Sequence, residues 1–279
     1  MKSFFNRHLV AAAALALGLG LAQQTAGASF LHYGTTGSGA PGGGDTASSL
    51  FTIDPTTGVS TLVGATGFIG VNSIDFNPLT GVLYGIANNG GGVAQLITIN
   101  PATGAGNLIA ALSPNFQSPD MSFNPSGTLY SWSEASPDHL NRVNITTGAT
   151  TDVGPSGIGT LHTGLDLNSV GAIYVKSGNN VYTINPVTGA ATFLITVTAA
   201  ATFENVLAFD PTDKLYTVDR RTGNSDLYTL NLTTGTSTLI GATGLPTLSA
   251  LAFAPVVPEP ATLSLLSVAV LVLWRRARV

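Results

Sequence analysis

A five-residue unit recurs five times along the chain, and no other feature limits the fold as tightly. The copies are Asp54-Pro55-Thr56-Thr57-Gly58, Asn100-Pro101-Ala102-Thr103-Gly104, Asn144-Ile145-Thr146-Thr147-Gly148, Asn185-Pro186-Val187-Thr188-Gly189 and Asn231-Leu232-Thr233-Thr234-Gly235. Their first residues are separated by 46, 44, 41 and 46 positions. Each copy has the chemistry of a tight turn. The Asx side chain accepts from backbone N–H groups ahead of it, Pro presets φ at the second position in three copies, and Gly supplies positive φ at the end. Alternating segments flank the copies, as in Leu50-Phe51-Thr52-Ile53 before the first and Ser60-Thr61-Leu62-Val63 after it, which predicts a hairpin.

A second turn follows at the same period: Asn77-Pro78-Leu79-Thr80-Gly81, Asn124-Pro125-Ser126-Gly127, Asn168-Ser169-Val170-Gly171 and Asp210-Pro211-Thr212-Asp213. The segment before it ends in Phe76, Phe123, Leu167 or Phe209, and the segment after it holds Tyr84, Tyr130, Tyr174 or Tyr216. Two hairpins per period make four antiparallel strands in about 44 residues, which is the pattern of a β-propeller blade. The ends of the chain fix the number of blades. The last period stops after one strand, Leu248 to Phe253, whereas Ser29-Phe30-Leu31-His32-Tyr33 matches the Tyr-bearing second strand of a blade that lacks its first. Pairing the two ends completes a fifth blade and leaves no open edge. The fold class expected is all-β: a five-bladed β-propeller closed by N- and C-terminal strands. A solenoid would need caps that this sequence lacks.

Both tight turns of a blade fall on one rim, and the irregular loops fall on the other. That second rim would carry Thr36 to Ser49, Asn88 to Val93, Ser133 to His139, Lys176 to Asn180 and Asp219 to Asp226, and it is where a ligand site is expected, because binding residues concentrate on loops held by a rigid scaffold. Aligned inner strands put Asp75 and Asp166 in one column with Ser122, Ala208 and Ala252, and set Asp120 and Glu204 nearer the channel mouth. Asp75, Asp120, Asp166 and Glu204 are the candidate ligand or cation contacts. Oxygen-rich sites suit calcium, and a carboxylate pair could also hydrolyse a glycoside, but solvated carboxylates bonded to turns and backbone are the preferred reading. His32, His139 and His162 have no helical metal spacing, Gly42-Gly43-Gly44 and Gly90-Gly91-Gly92 precede no helix, and no nucleophile elbow is present, so no catalytic residue is assigned. Arg220-Arg221 reads as part of a solvated loop, and the sequons at Asn144 and Asn231 follow from the turn repeat itself.

The two ends of the chain have another character. Lys2 and Arg7 precede the apolar run Leu9 to Leu21, and Ala26-Gly27-Ala28 offers small residues before a cut at Ser29, so residues 1–28 read as a cleavable signal peptide and imply Sec export. At the other end Val257-Pro258-Glu259-Pro260 leads into the apolar run Ala261 to Trp274 and the cluster Arg275, Arg276 and Arg278. Fourteen residues make a helix of roughly 21 Å against roughly 30 Å of hydrocarbon, a short transmembrane helix suited to a transient anchor. Motif, span and arginines together closely resemble the PEP-CTERM sorting domain, which an exosortase processes in bacteria that make exopolysaccharide. The resemblance covers residues 257–279 alone. It implies Pro258, Glu259, Pro260, Arg275, Arg276 and Arg278 as the sorting motif, an exosortase as partner, membrane contact through this segment only, and a surface or matrix destination with surface polysaccharide nearby.

Removing both segments takes the Lys and Arg count from 10 to 5 and the Asp and Glu count from 14 to 13, so the propeller domain, residues 29–256, carries a net charge of about −8. Nucleic acid binding needs clustered Lys and Arg, and this composition argues against it. Cysteine is absent, which excludes disulfides, thiolate nucleophiles and Cys-ligated zinc. The expectation is an exported, non-catalytic binding or structural propeller, with a carbohydrate-active enzyme using channel or rim carboxylates as the alternative.

Overall fold

The computed structural model of the chain describes residues 32–36, 47–88, 92–116, 120–134, 137–159, 163–198, 206–219 and 224–255. The leader and the tail, with the whole sorting motif, lie outside them, as do Glu204, His162 and Arg220-Arg221. Among the described residues twenty strands form five four-stranded antiparallel sheets. In chain order, β1 (His32–Thr35), β2 (Ala47–Ile53) and β3 (Ser60–Ile69) belong to the closing blade. Blade 1 is β4 (Val71–Phe76), β5 (Leu83–Ala87), β6 (Gln95–Ile99) and β7 (Gly106–Ala111), and blade 2 is β8 (Met121–Phe123), β9 (Leu129–Ser133), β10 (His139–Val143) and β11 (Thr150–Pro155). Blade 3 is β12 (Gly164–Leu167), β13 (Ile173–Ser177), β14 (Asn180–Ile184) and β15 (Ala191–Thr196), and blade 4 is β16 (Leu207–Phe209), β17 (Leu215–Asp219), β18 (Asp226–Leu230) and β19 (Ser237–Ala242). The last strand, β20 (Ala250–Phe253), returns to the first sheet.

That return closes the ring as the repeat arithmetic requires. β1 lies between β20 and β2, with His32 opposite Phe253 and Ile53, and Thr35 opposite Ala250 and Leu50. The inner strands β20, β4, β8, β12 and β16 neighbour one another in cyclic order around a central channel.

The repeated turns form by the local chemistry read from their sequence. Asp54 Oδ1 accepts from the Thr56 N–H at 2.7 Å while the Gly58 N–H reaches the Asp54 carbonyl at 2.8 Å. Asn77 and Asn100 do the same toward Leu79 and Ala102. The fourth inner turn has no glycine. Asp213 adopts φ +64° there, and its carboxylate takes the Ser169 N–H and hydroxyl of blade 3, both at 2.7 Å. An interaction with the neighbouring blade compensates the left-handed backbone.

The core lies between blades. Tyr33 of β1 packs on Phe76 of β4 with ring centroids 5.5 Å apart, Tyr84 on Phe123 at 5.3 Å, Tyr174 on Phe209 at 5.1 Å and Tyr216 on Phe253 at 4.9 Å. At the remaining junction Tyr130 and the fully buried Trp132 pack with Leu165 and Leu167. The Phe and Tyr columns of the sequence therefore face each other across blade boundaries. Each tilted pair contributes about 0.5–1.5 kcal/mol beyond its buried area. A second ring of contacts lies further out, where the closing glycine of each outer turn sits against the edge strand of the preceding blade: Gly58 against Gly241, Gly104 against Gly64, Gly148 against Ala111, Gly189 against Gly154 and Gly235 against Thr196.

The strands run further than the loop boundaries read from sequence. Lys176 is a fully buried residue of β13, Ser133 pairs with His139, and Asp219 pairs with Asp226. Polar strand ends mimic loop composition, and only their pairing with a neighbour separates the two.

Candidate functional site

The inner strands run toward the rim of tight turns, and at that end the channel widens into a cavity of about 400 Å³. Asp75, Ser122 and Asp166 line it, and Pro78, Pro125 and Pro211 from three inner turns form its collar. Among the described residues no Lys, Arg or His lines it. The sequence placed Asp75 and Asp166 in one column, and the structure brings them together through Ser122. The Ser122 Oγ lies 3.0 Å from Asp75 Oδ2 and 2.5 Å from Asp166 Oδ1. Asp120 stands apart from the cavity, one residue before β8 at the opposite end of the inner strands.

Backbone donors occupy all three carboxyls. Asp75 accepts from its own neighbour Phe76 and from Phe123 of the next blade, both at 2.7 Å. Asp166 accepts from Phe209 of the next blade at 2.5 Å. Asp120 accepts from Met121 at 2.9 Å and from Leu165 of the next blade at 3.0 Å. Each aspartate thus joins its blade to the following one at the narrowest radius of the ring.

Burial disfavours the charged forms. Burial first, and the charge of Asp166 second, push Asp75 up to about 8, and burial pushes Asp166 up to about 6. Asp120 is raised well above the usual carboxylate range, again chiefly by burial. Among the described residues no group of three or more His, Cys, Asp and Glu is placed to hold a metal ion. His139 pairs with Asp152, Nδ1 to Oδ1 at 2.9 Å, on the exposed flank of blade 2. No helix among the described residues is long and apolar enough to cross a membrane.

Two features escaped the sequence reading. Ser122 appeared there only as a filler of the inner ring, though its column with two aspartates was the signal for a bridge. The cavity also opens among the tight turns, on the rim opposite the one expected, where Pro78, Pro125 and Pro211 line its mouth.

No protein-family model matches the chain, and no curated protein matches it. Solved structures do. One chain of a nidogen/laminin complex is 12% identical, with 81% of this chain and 98% of that one covered at a TM-score of 0.54. A protein of unknown function from Bacteroides thetaiotaomicron is 17% identical over 82% of this chain and 66% of its own, at 0.52. The periplasmic gluconolactonase of Pseudomonas aeruginosa is 12% identical over 82% and 99%, at 0.51. Likeness at this level is likeness of fold, and function resides in sites that vary upon it. This chain is an all-β, five-bladed propeller.

Proposed function

We propose that the protein is exported and works outside the cytoplasmic membrane as a non-catalytic binding or structural propeller, delivered by exosortase-type processing of its tail in an exopolysaccharide context. The observation that carries the non-catalytic reading is the use of Asp75, Asp120 and Asp166 as joints between blades. Their oxygens are turned to backbone N–H groups. A glycosidase must admit a sugar bond, and in the inverting case a water as well, between its two carboxyls. Here the Ser122 hydroxyl fills that gap.

The delivery half of the proposal rests on the leader and on the order of Pro258-Glu259-Pro260, apolar span and arginines. Mass spectrometry of material released by the native host tests it: mature protein should lack Ala261 to Val279, and an intact C-terminal Val279 on released protein would overturn the sorting argument. The binding half is tested by a glycan array on purified residues 29–257. Retention of surface polysaccharide fragments, weakened by substitutions at the channel mouth or the irregular rim, is the expected result. Silence across anionic and neutral glycans would leave only the structural role.

A further inference from the structure

Hydrogen counting at the channel mouth requires a proton that the three side chains do not have when both acids are ionised. Ser122 Oγ approaches a carboxyl oxygen on each side, Asp75 Oδ2 at 3.0 Å and Asp166 Oδ1 at 2.5 Å. A hydroxyl has one hydrogen and donates once. With two carboxylates one of those contacts would set a lone pair against a buried negative charge, with no hydrogen between. The other donors cannot serve, since the Phe76 and Phe123 amides point at Asp75 and the Phe209 amide at Asp166, and each is already committed.

We infer that Asp75 and Asp166 hold one proton between them through Ser122 at neutral pH, making the inner ring of the propeller a pH-sensitive clamp. With that proton in place the chain of bonds runs unbroken from Asp75 of blade 1 through Ser122 of blade 2 to Asp166 of blade 3, and on to the Phe209 amide of blade 4. When it leaves to solvent, Ser122 can satisfy only one neighbour, and the contact on its other side is lost. The proton belongs to the pair.

The ionisable groups that line the cavity are all acids, and the one nearby cation among the described residues, Lys214 at the far end of the turn after β16, lies outside its lining. β4 and β12 contribute the pair itself, the segment leading into β8 contributes Asp120, whose charge acts against both, the turn after β16 contributes Asp210, and β20 contributes none. Among the described residues no cation lines the cavity to take the proton's place.

Infrared spectroscopy of the full-length chain in mild detergent reads the protonated carboxyl directly, through its C=O stretch. At neutral pH a band should be present that Asp75→Asn removes, that Asp166→Asn removes or shifts, and that is distinct from any band lost in Asp120→Asn. It should disappear as the pH is raised well past 8. Ser122→Ala keeps both acids and removes the bridge, so if the Asn variants do not fold, a change in the frequency of the band in Ser122→Ala carries the same information. Either of two results would overturn the inference: no band altered by Asp75→Asn or Asp166→Asn, or a band unmoved by Ser122→Ala.

Discussion

Two glycines that end the same motif offer an internal control for how the ring is held. Gly81 closes Asn77-Pro78-Leu79-Thr80-Gly81 at φ +68°, and a methyl group added there would meet nothing within 4 Å. Gly104 closes Asn100-Pro101-Ala102-Thr103-Gly104 at φ +80°, but its added methyl would lie 2.5 Å from the Gly64 carbonyl oxygen of the closing blade. The backbone term is common to both variants. Left-handed φ costs an L-residue about 1–2 kcal/mol, and the smaller conformational freedom of unfolded Ala offsets about 0.4–1 kcal/mol of it. Gly81→Ala should therefore cost roughly 1 kcal/mol. Gly104→Ala adds an overlap against backbone that cannot rotate away, and overpacking of this kind costs about 1–3 kcal/mol, so its total should reach roughly 2–4 kcal/mol. For a domain of this size each kcal/mol moves Tm by about 2–4 °C. Thermal or urea unfolding of residues 29–257 should show Gly104→Ala melting clearly below Gly81→Ala. Equal losses would refute the claim that the outer-turn glycines carry contact between blades and would reduce them to turn residues.

Two further outcomes follow from the same structure. Deleting residues 29–36 removes β1, leaves β20 without a sheet partner and β2 paired only with β3, and strips Tyr33 from Phe76, so the whole ring should lose stability and cooperativity in calorimetry; a truncated chain that melts like the intact one would contradict end-to-end closure. The acid pair has raised folded-state proton affinity, so its contribution to stability is complete below about pH 4 and is lost as pH rises through about 6 and about 8. Urea unfolding across that window should show wild type losing up to about 1.4 kcal/mol per pH unit relative to Asp166→Asn, and a pH-independent difference would count against it.

Much of the fold was legible because its signals are local. An Asx residue, a Thr and a Gly at fixed spacing specify a turn wherever they occur, and the unmatched strands at the two ends imply closure. What was not legible depends on distance in the chain. The sequence shows the Phe and Tyr columns but not that Tyr84 meets Phe123 of the next blade, and it shows Gly104 as a turn residue but not its contact with Gly64. The candidate site divides in the same way. The repeat alignment put Asp75, Ser122 and Asp166 in one column, yet only folding brings one hydroxyl between both acids. Lys176 looked like a loop residue because a lysine at a strand end is usually solvated.

On the function proposed above, the channel carboxylates join blades and take no part in turnover. Turnover assays on polysaccharides, esters and lactones with purified residues 29–257, run beside Asp75→Asn and Asp166→Asn, test it most directly. Wild type should show no turnover, and both variants should change only in stability and its pH dependence. A clear hydrolytic rate that either variant abolishes while still folded would contradict it.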